Sequence, residues 1–115
     1  MRIPICAFLV VLISSLLLSG CINMSTPTAQ VAPAQRSGVQ YEDYNCARLV
    51  DELGALAKRE VQLAAAHEKR VKASSAQALL VGVGQGDGAE ADALANVRGD
   101  KEAVRKAMIA KQCGA

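Results

Sequence analysis

Glycine occupies every second position from 82 to 88, within the stretch ALLVGVGQGDGAEA. Four glycines in seven residues lose so much backbone freedom on ordering that a helix does not run through them, and the chain is expected to turn there. The segments on either side read as helices. Two helices joined by a short connection fold back antiparallel. The expected fold class is therefore all-α: an antiparallel two-helix hairpin, coiled-coil-like, over residues 41–115, with its Gly-rich turn near 82–88.

Before the turn, Cys46, Leu49, Leu53, Leu56, Glu60, Leu63 and His67 recur at alternating spacings of three and four, the seam of an amphipathic helix. Val50, Ala57, Val61, Ala64 and Val71 widen the seam into a broader apolar face. Asp43 or Asn45 is placed to cap the start. Arg48 with Glu52, and Glu68 with Lys72, have the spacing of ion pairs along the helix. After the turn, a second helix is expected from about Ala89 to Gln112, its stripe running Leu94, Val97, Val104 and Met108 with Lys101 as an interruption. Glu102 can pair with Lys106, and Lys111 suits the last turn. Gly99 weakens the middle by about 1 kcal/mol relative to alanine, so a kink or break is expected there, with Asp100 recapping.

The chain has 115 residues, room for one small domain, with one Phe, two Tyr and no Trp. Phe8 lies near the N-terminus, so the core downstream is expected to consist of Leu, Val, Ala and Met, which bury little area each. A domain of this kind needs a staple or a partner. Basic and acidic residues number 13 and 11 and are interspersed. That balance offers no basic stripe for nucleic acid.

The first residues, MRIPICAFLVVLISSLLLSGC, carry one positive charge, Arg2, then sixteen mostly apolar residues from Ile3 to Leu18. A membrane-crossing helix needs about 20. A shorter run ending in Ser19 and Gly20 has the form of a secretory signal peptide. Leu18-Ser19-Gly20-Cys21 resembles the lipobox of bacterial lipoproteins. That resemblance implies that residues 1–20 are cleaved and that Cys21 carries a diacylglyceryl group and an N-acyl chain, which together anchor firmly. Ile22 stands where such proteins carry an aspartate for inner-membrane retention, which favours the outer membrane where the source has one. Residues 22–40, with two prolines, four Ser or Thr residues and one charge, read as a flexible linker. As a random coil of 19 residues this linker would span about 24 Å.

With Cys6 in the signal peptide and Cys21 assigned to lipid by that resemblance, Cys46 and Cys113 remain, in a disulfide-permissive compartment. Their midpoint, residue 79 or 80, falls at the edge of the glycine-rich stretch, so a hairpin turning there sets them side by side at its open end. Two arms of 26 to 28 residues would each run about 40 Å. A Cys46–Cys113 disulfide is expected to be structural. Tyr44-Asn45-Cys46 and Lys111-Gln112-Cys113-Gly114, bracketing charged helices, resemble small uncharacterised lipoproteins of bacterial and prophage genomes. The resemblance covers residues 41 to 114 and implies an architecture, since that group has no established activity. Its members carry a longer apolar segment at the hairpin tip. Here five apolar residues followed by glycines and Asp87 are too few to span.

Other patterns have plainer readings. Gly84, Gly86 and Ala89 fit a dinucleotide-binding fingerprint, but no second strand follows to complete a βαβ unit. His67 is the single histidine, and neither Cys46 nor Cys113 reaches it along the helix to complete a zinc site. Asp87, Glu90 and Asp92 lack the spacing of a calcium loop and suit the acidic start of a helix. No serine lies in a G-x-S-x-G context. No catalytic residue, metal or cofactor is expected. The reading is a membrane-anchored envelope lipoprotein acting as a structural or protein-interaction module, with the membrane, another copy or an envelope protein as partner. The alternative is a membrane-active lysis or exclusion lipoprotein of prophage type, motivated by the small and apolar residues at LLVGVGQG.

Overall fold

A computed structural model describes residues 23–114. Cys6, Cys21 and the lipobox lie outside the described residues. Among those residues the regular structure is helical: α1 over Cys46–Val81 and α2 over Ala89–Ala110, preceded by single 3-10 turns at Thr28–Gln30 and Val39–Tyr41. The two long helices pack on each other as an antiparallel hairpin.

Asn45 proves to be the cap of α1: its side-chain Oδ1 accepts a hydrogen bond from the Arg48 backbone N–H at 2.9 Å. The helix ends at Gly82, which takes a left-handed φ of 82° and donates to the Ala78 carbonyl. Two of the charge pairs suggested by spacing give way to other contacts. Arg48 lies over the Tyr44 ring, 3.7 Å from its centroid, and Glu68 accepts from the Thr28 hydroxyl at 2.9 Å.

The arms are unequal, unlike the matched pair expected. α1 has 36 residues and α2 has 22, or about 54 and 33 Å. The difference is taken up by residues 83–88, which run back along α1 instead of turning tightly. Gln85 N–H donates to Ser74 Oγ at 2.9 Å, and Arg70 Nε donates to the Gly86 carbonyl at 3.0 Å. α2 therefore begins beside Arg70. The 24 residue steps from Cys46 to Arg70 match the 24 from Ala89 to Cys113, which brings the cysteines level.

At that level Cys46 and Cys113 are bonded, their Cα atoms 5.4 Å apart. The chain reaches Cys113 by a Schellman ending: Cys113 N–H donates to the Met108 carbonyl and Gln112 N–H to that of Ile109. The left-handed position of this motif, φ 54°, is occupied by Gln112 where glycine is usual. The adjoining core holds Leu49, Leu56, Val97, Ala103 and Val104, with Leu53, Leu63 and Met108 packed against it. It also holds Tyr41, 3 % exposed and edge-on to Tyr44 with ring centroids 5.5 Å apart. An aromatic thus enters a core for which only aliphatic residues were expected.

α2 runs unbroken through Gly99, and Asp100 pairs with Arg36 at 2.8 Å instead of recapping. The glycine serves packing. A Cβ there would overlap the Ala34 carbonyl oxygen, because residues 23–45 lie along the hairpin as a strap. Irregular backbone was expected of this segment; its attachment to both helices was not.

Candidate functional site

The strap is held by polar residues on the seam of α1. Glu60, His67 and Ser74 are spaced by seven and so fall on one line of the helix, where an apolar seam would carry leucine. Each meets a partner. Ser74 Oγ accepts from the Gln85 N–H and lies 3.4 Å from the Ser25 backbone nitrogen, while the Ser25 hydroxyl donates to the Gly86 carbonyl. His67 Nε2 lies 2.8 Å from the Thr26 carbonyl, which makes that nitrogen the donor. Glu60 accepts from Arg98 Nε at 2.9 Å and from Lys101 Nζ. Lys101, an interruption in the stripe of α2, thus faces an interruption in the seam of α1. Arg98 also donates from Nη1 to the Thr28 and Val31 carbonyls, binding three segments together.

From tip to closed end the strap runs parallel to α2. Thr26 gives its backbone N–H and its hydroxyl to the two carboxylate oxygens of Asp87, each at 2.6 Å. Val31 is buried, and Ala34 N–H donates to the Ala95 carbonyl at 2.8 Å. Lys111 Nζ, at the other end, donates to the Glu42 carbonyl at 2.7 Å. The hydrogen bond from Lys101, with a further one from Arg98, holds the Glu60 carboxyl below its ordinary range against the opposing effect of desolvation. Asp87 is likewise lowered, first by the Thr26 hydroxyl and then by the Thr26 backbone.

These contacts make a clasp. His67 is fully buried, and its Nδ1 has no hydrogen-bond partner. The histidine is tied to the strap through Nε2, and no group of three or more His, Cys, Asp or Glu among the described residues is placed to hold a metal ion. Asp87 faces Thr26, while Glu90 lies 4.0 Å from Arg70, so the acidic residues near the start of α2 diverge. Gly84 and Gly86 are buried beneath Asn23: a Cβ on Gly84 would meet the Asn23 carbonyl, and one on Gly86 the Asn23 side chain. Their smallness admits the strap rather than a pyrophosphate.

Exposed apolar side chains include two groups on α1 and its turn. On α1, Val50 and Val61 are 55 % and 70 % exposed. They are eleven residues apart, three helical turns, and so share one face with exposed Gly54 and Ala65 between and beyond them. At the tip, Leu79, Leu80, Val81 and Val83 are exposed beside Met24. No helix among the described residues is long and apolar enough to cross a membrane.

The sequence reading placed Cys46 and Cys113 together and missed the clasp. The available signal was the seven-residue recurrence of polar side chains on an apolar seam: Glu60 and His67 stood in it, and Ser74 continues it. Buried polar groups need partners, and neither helix alone offers enough of them. No family model matches the chain, and comparisons with curated proteins and with solved structures likewise find no match.

Proposed function

We propose that this protein is a lipid-anchored lipoprotein of the bacterial envelope, fixed through Cys21, whose hairpin is a non-catalytic interaction module. The lipobox-like Leu18-Ser19-Gly20-Cys21 supports the anchor. The observation that carries the module is the exposed face of Val50, Gly54, Val61 and Ala65. The opposite side of α1 is already covered by α2 and the strap, so this stripe is free for another helix, from a second copy or from an envelope protein. A photo-crosslinking residue placed at Val50 or Val61 should give a discrete protein adduct in cells, while one at exposed Arg59, on another face of the helix, should give little. Absence of adducts at both valines, with a monodisperse monomer in sedimentation, would remove the interaction role.

The second reading, a membrane-active lipoprotein of prophage type, draws on the exposure of Leu79 and Leu80, 89 % and 85 %. It requires leakage of vesicles by the protein, abolished when both leucines are replaced by serine. Intact vesicles would leave the interaction module standing.

A further inference from the structure

The end of the hairpin that carries the exposed leucines is also the end at which the strap begins. Asn23 lies over Gly84 and Gly86, so the described chain begins at the tip. Cys21 is two residues earlier, at most about 7 Å of extended chain. A free linker of residues 22–40 would have held the hairpin at a variable distance from its anchor. The clasp at Ser25, Thr26 and Thr28 removes that slack.

Composition divides the molecule in the same way. From Ala73 to Gly86 there is no charged residue, and from Ile22 to Gln35 there is none either. The first stretch and residues 23–26 of the second form the tip, and residues 28–35 continue beside α2 as far as Gly99. α1 overhangs the start of α2 by residues 71–81, about 16 Å. Its last turn presents Leu79, Leu80 and Val81, with Val83 following the turn, and Met24, Ser75, Ala78 and Leu79 line an open apolar recess of ≈ 370 Å³. Gly82 closes the helix in its left-handed conformation and donates its N–H to Ala78, so the helix end carries a hydrogen-bonded cap into this apolar environment.

We infer that the tip is a second membrane contact: Leu79, Leu80, Val81 and Val83 seat in the interfacial layer of the bilayer beside the lipid on Cys21. The inference rests on the lipid-anchor reading and deepens it. One anchor point leaves a rod free to swivel. Two at the same end set it upright, with the disulfide and the Val50–Val61 face held away from the membrane. Asp51 then stands about 44 Å along α1 from Leu80. The depth is interfacial, because four apolar side chains followed by Gln85 and Asp87 do not reach across.

The test uses the lipid-bearing full chain extracted from membranes and placed in vesicles of phosphatidylethanolamine and phosphatidylglycerol. A polarity-sensitive dye is attached at Leu80→Cys or, separately, at Asp51→Cys. The dye at position 80 should shift to the blue and resist an aqueous quencher. The dye at position 51 should stay fully quenchable and transfer little energy to acceptors on the headgroups. Adding Leu79→Ser and Leu80→Ser to the Asp51→Cys protein should raise that transfer as the rod tilts. Both leucines are so exposed that their loss leaves the fold intact.

Intact mass separates the two levels of the argument. Absence of acyl mass on Cys21 would overturn the anchor and the seating together. Acyl mass present, with position 80 quenched as fully as position 51, would overturn the seating alone. Shielding of position 80 that persists in detergent and grows with protein concentration would assign the tip to a second copy, and would also overturn it.

Discussion

The two ends of the hairpin are built on different physics. At the closed end a covalent bond, a Schellman motif and Tyr41 close an apolar core containing Leu49, Val97 and Val104. At the tip the fully buried side chains of α1 are His67 and Ser74, and hydrogen bonds to a strap hold the assembly together. Exposed apolar side chains occur at both ends, Val39 and Ile109 at one and the run of Leu79, Leu80, Val81 and Val83 at the other. The difference teaches what each end relies on: the closed end packs apolar side chains beside a disulfide, whereas the tip depends on hydrogen bonds to a segment with little regular structure of its own.

The strongest way to break this comparison is to cut the staple. Cys46→Ser or Cys113→Ser should cost about 4 kcal/mol, given a loop with a sequence separation of 67. Thermal unfolding reads this as a large fall in Tm. An unchanged transition would show that the clasp, not the disulfide, carries the fold.

Gly99→Ala sharpens the comparison through its sign. On a helix without a strap the change stabilises by about 1 kcal/mol. With Ala34 docked, the new methyl group meets its carbonyl oxygen and the change destabilises by about 1–3 kcal/mol. Denaturant melts decide between them, and a stabilised protein would mean that the strap lies free.

Glu60→Ala should cost about 1–2 kcal/mol by leaving Arg98 and Lys101 half-buried without their acceptor. Acid should imitate it. Glu60 and Asp87 both have folded pKa values below their ordinary 4.5 and 3.8. Their contribution is therefore complete above those values and is lost as pH falls through the lowered ones. Hydrogen exchange should show the Ala34 and Thr26 amides opening at acid pH before those near Cys46. Simultaneous loss would mean that the two ends are one cooperative unit.

The smallest effect is at the closed end. Gln112→Gly relieves a left-handed residue and should stabilise by up to about 1 kcal/mol, visible as a small rise in denaturant midpoint.

Much of the closed end was legible in the sequence. Leucines at three-and-four spacing and Asn45 before the first turn report on near neighbours, and two cysteines on either side of a glycine cluster report on a chain that reverses between them. The clasp was less so, because the strap's contacts with the hairpin join residues 40 to 70 positions apart. Lys101 and Glu60 each looked like a flaw in its own helix, and Gly99 like a weakness. Each is explained only by what lies across from it.

By itself, then, the sequence determined the hairpin: local periodicity specifies amphipathic helices, and glycine density specifies where the chain reverses. Tertiary structure alone decided the rest. It set the return of residues 83–88 along α1, which makes unequal helices end level, and it laid residues 23–45 along the groove. The physical reason is that buried polar groups on the seam must be satisfied, and which distant segment does so depends on three-dimensional fit, to which no local pattern is sensitive.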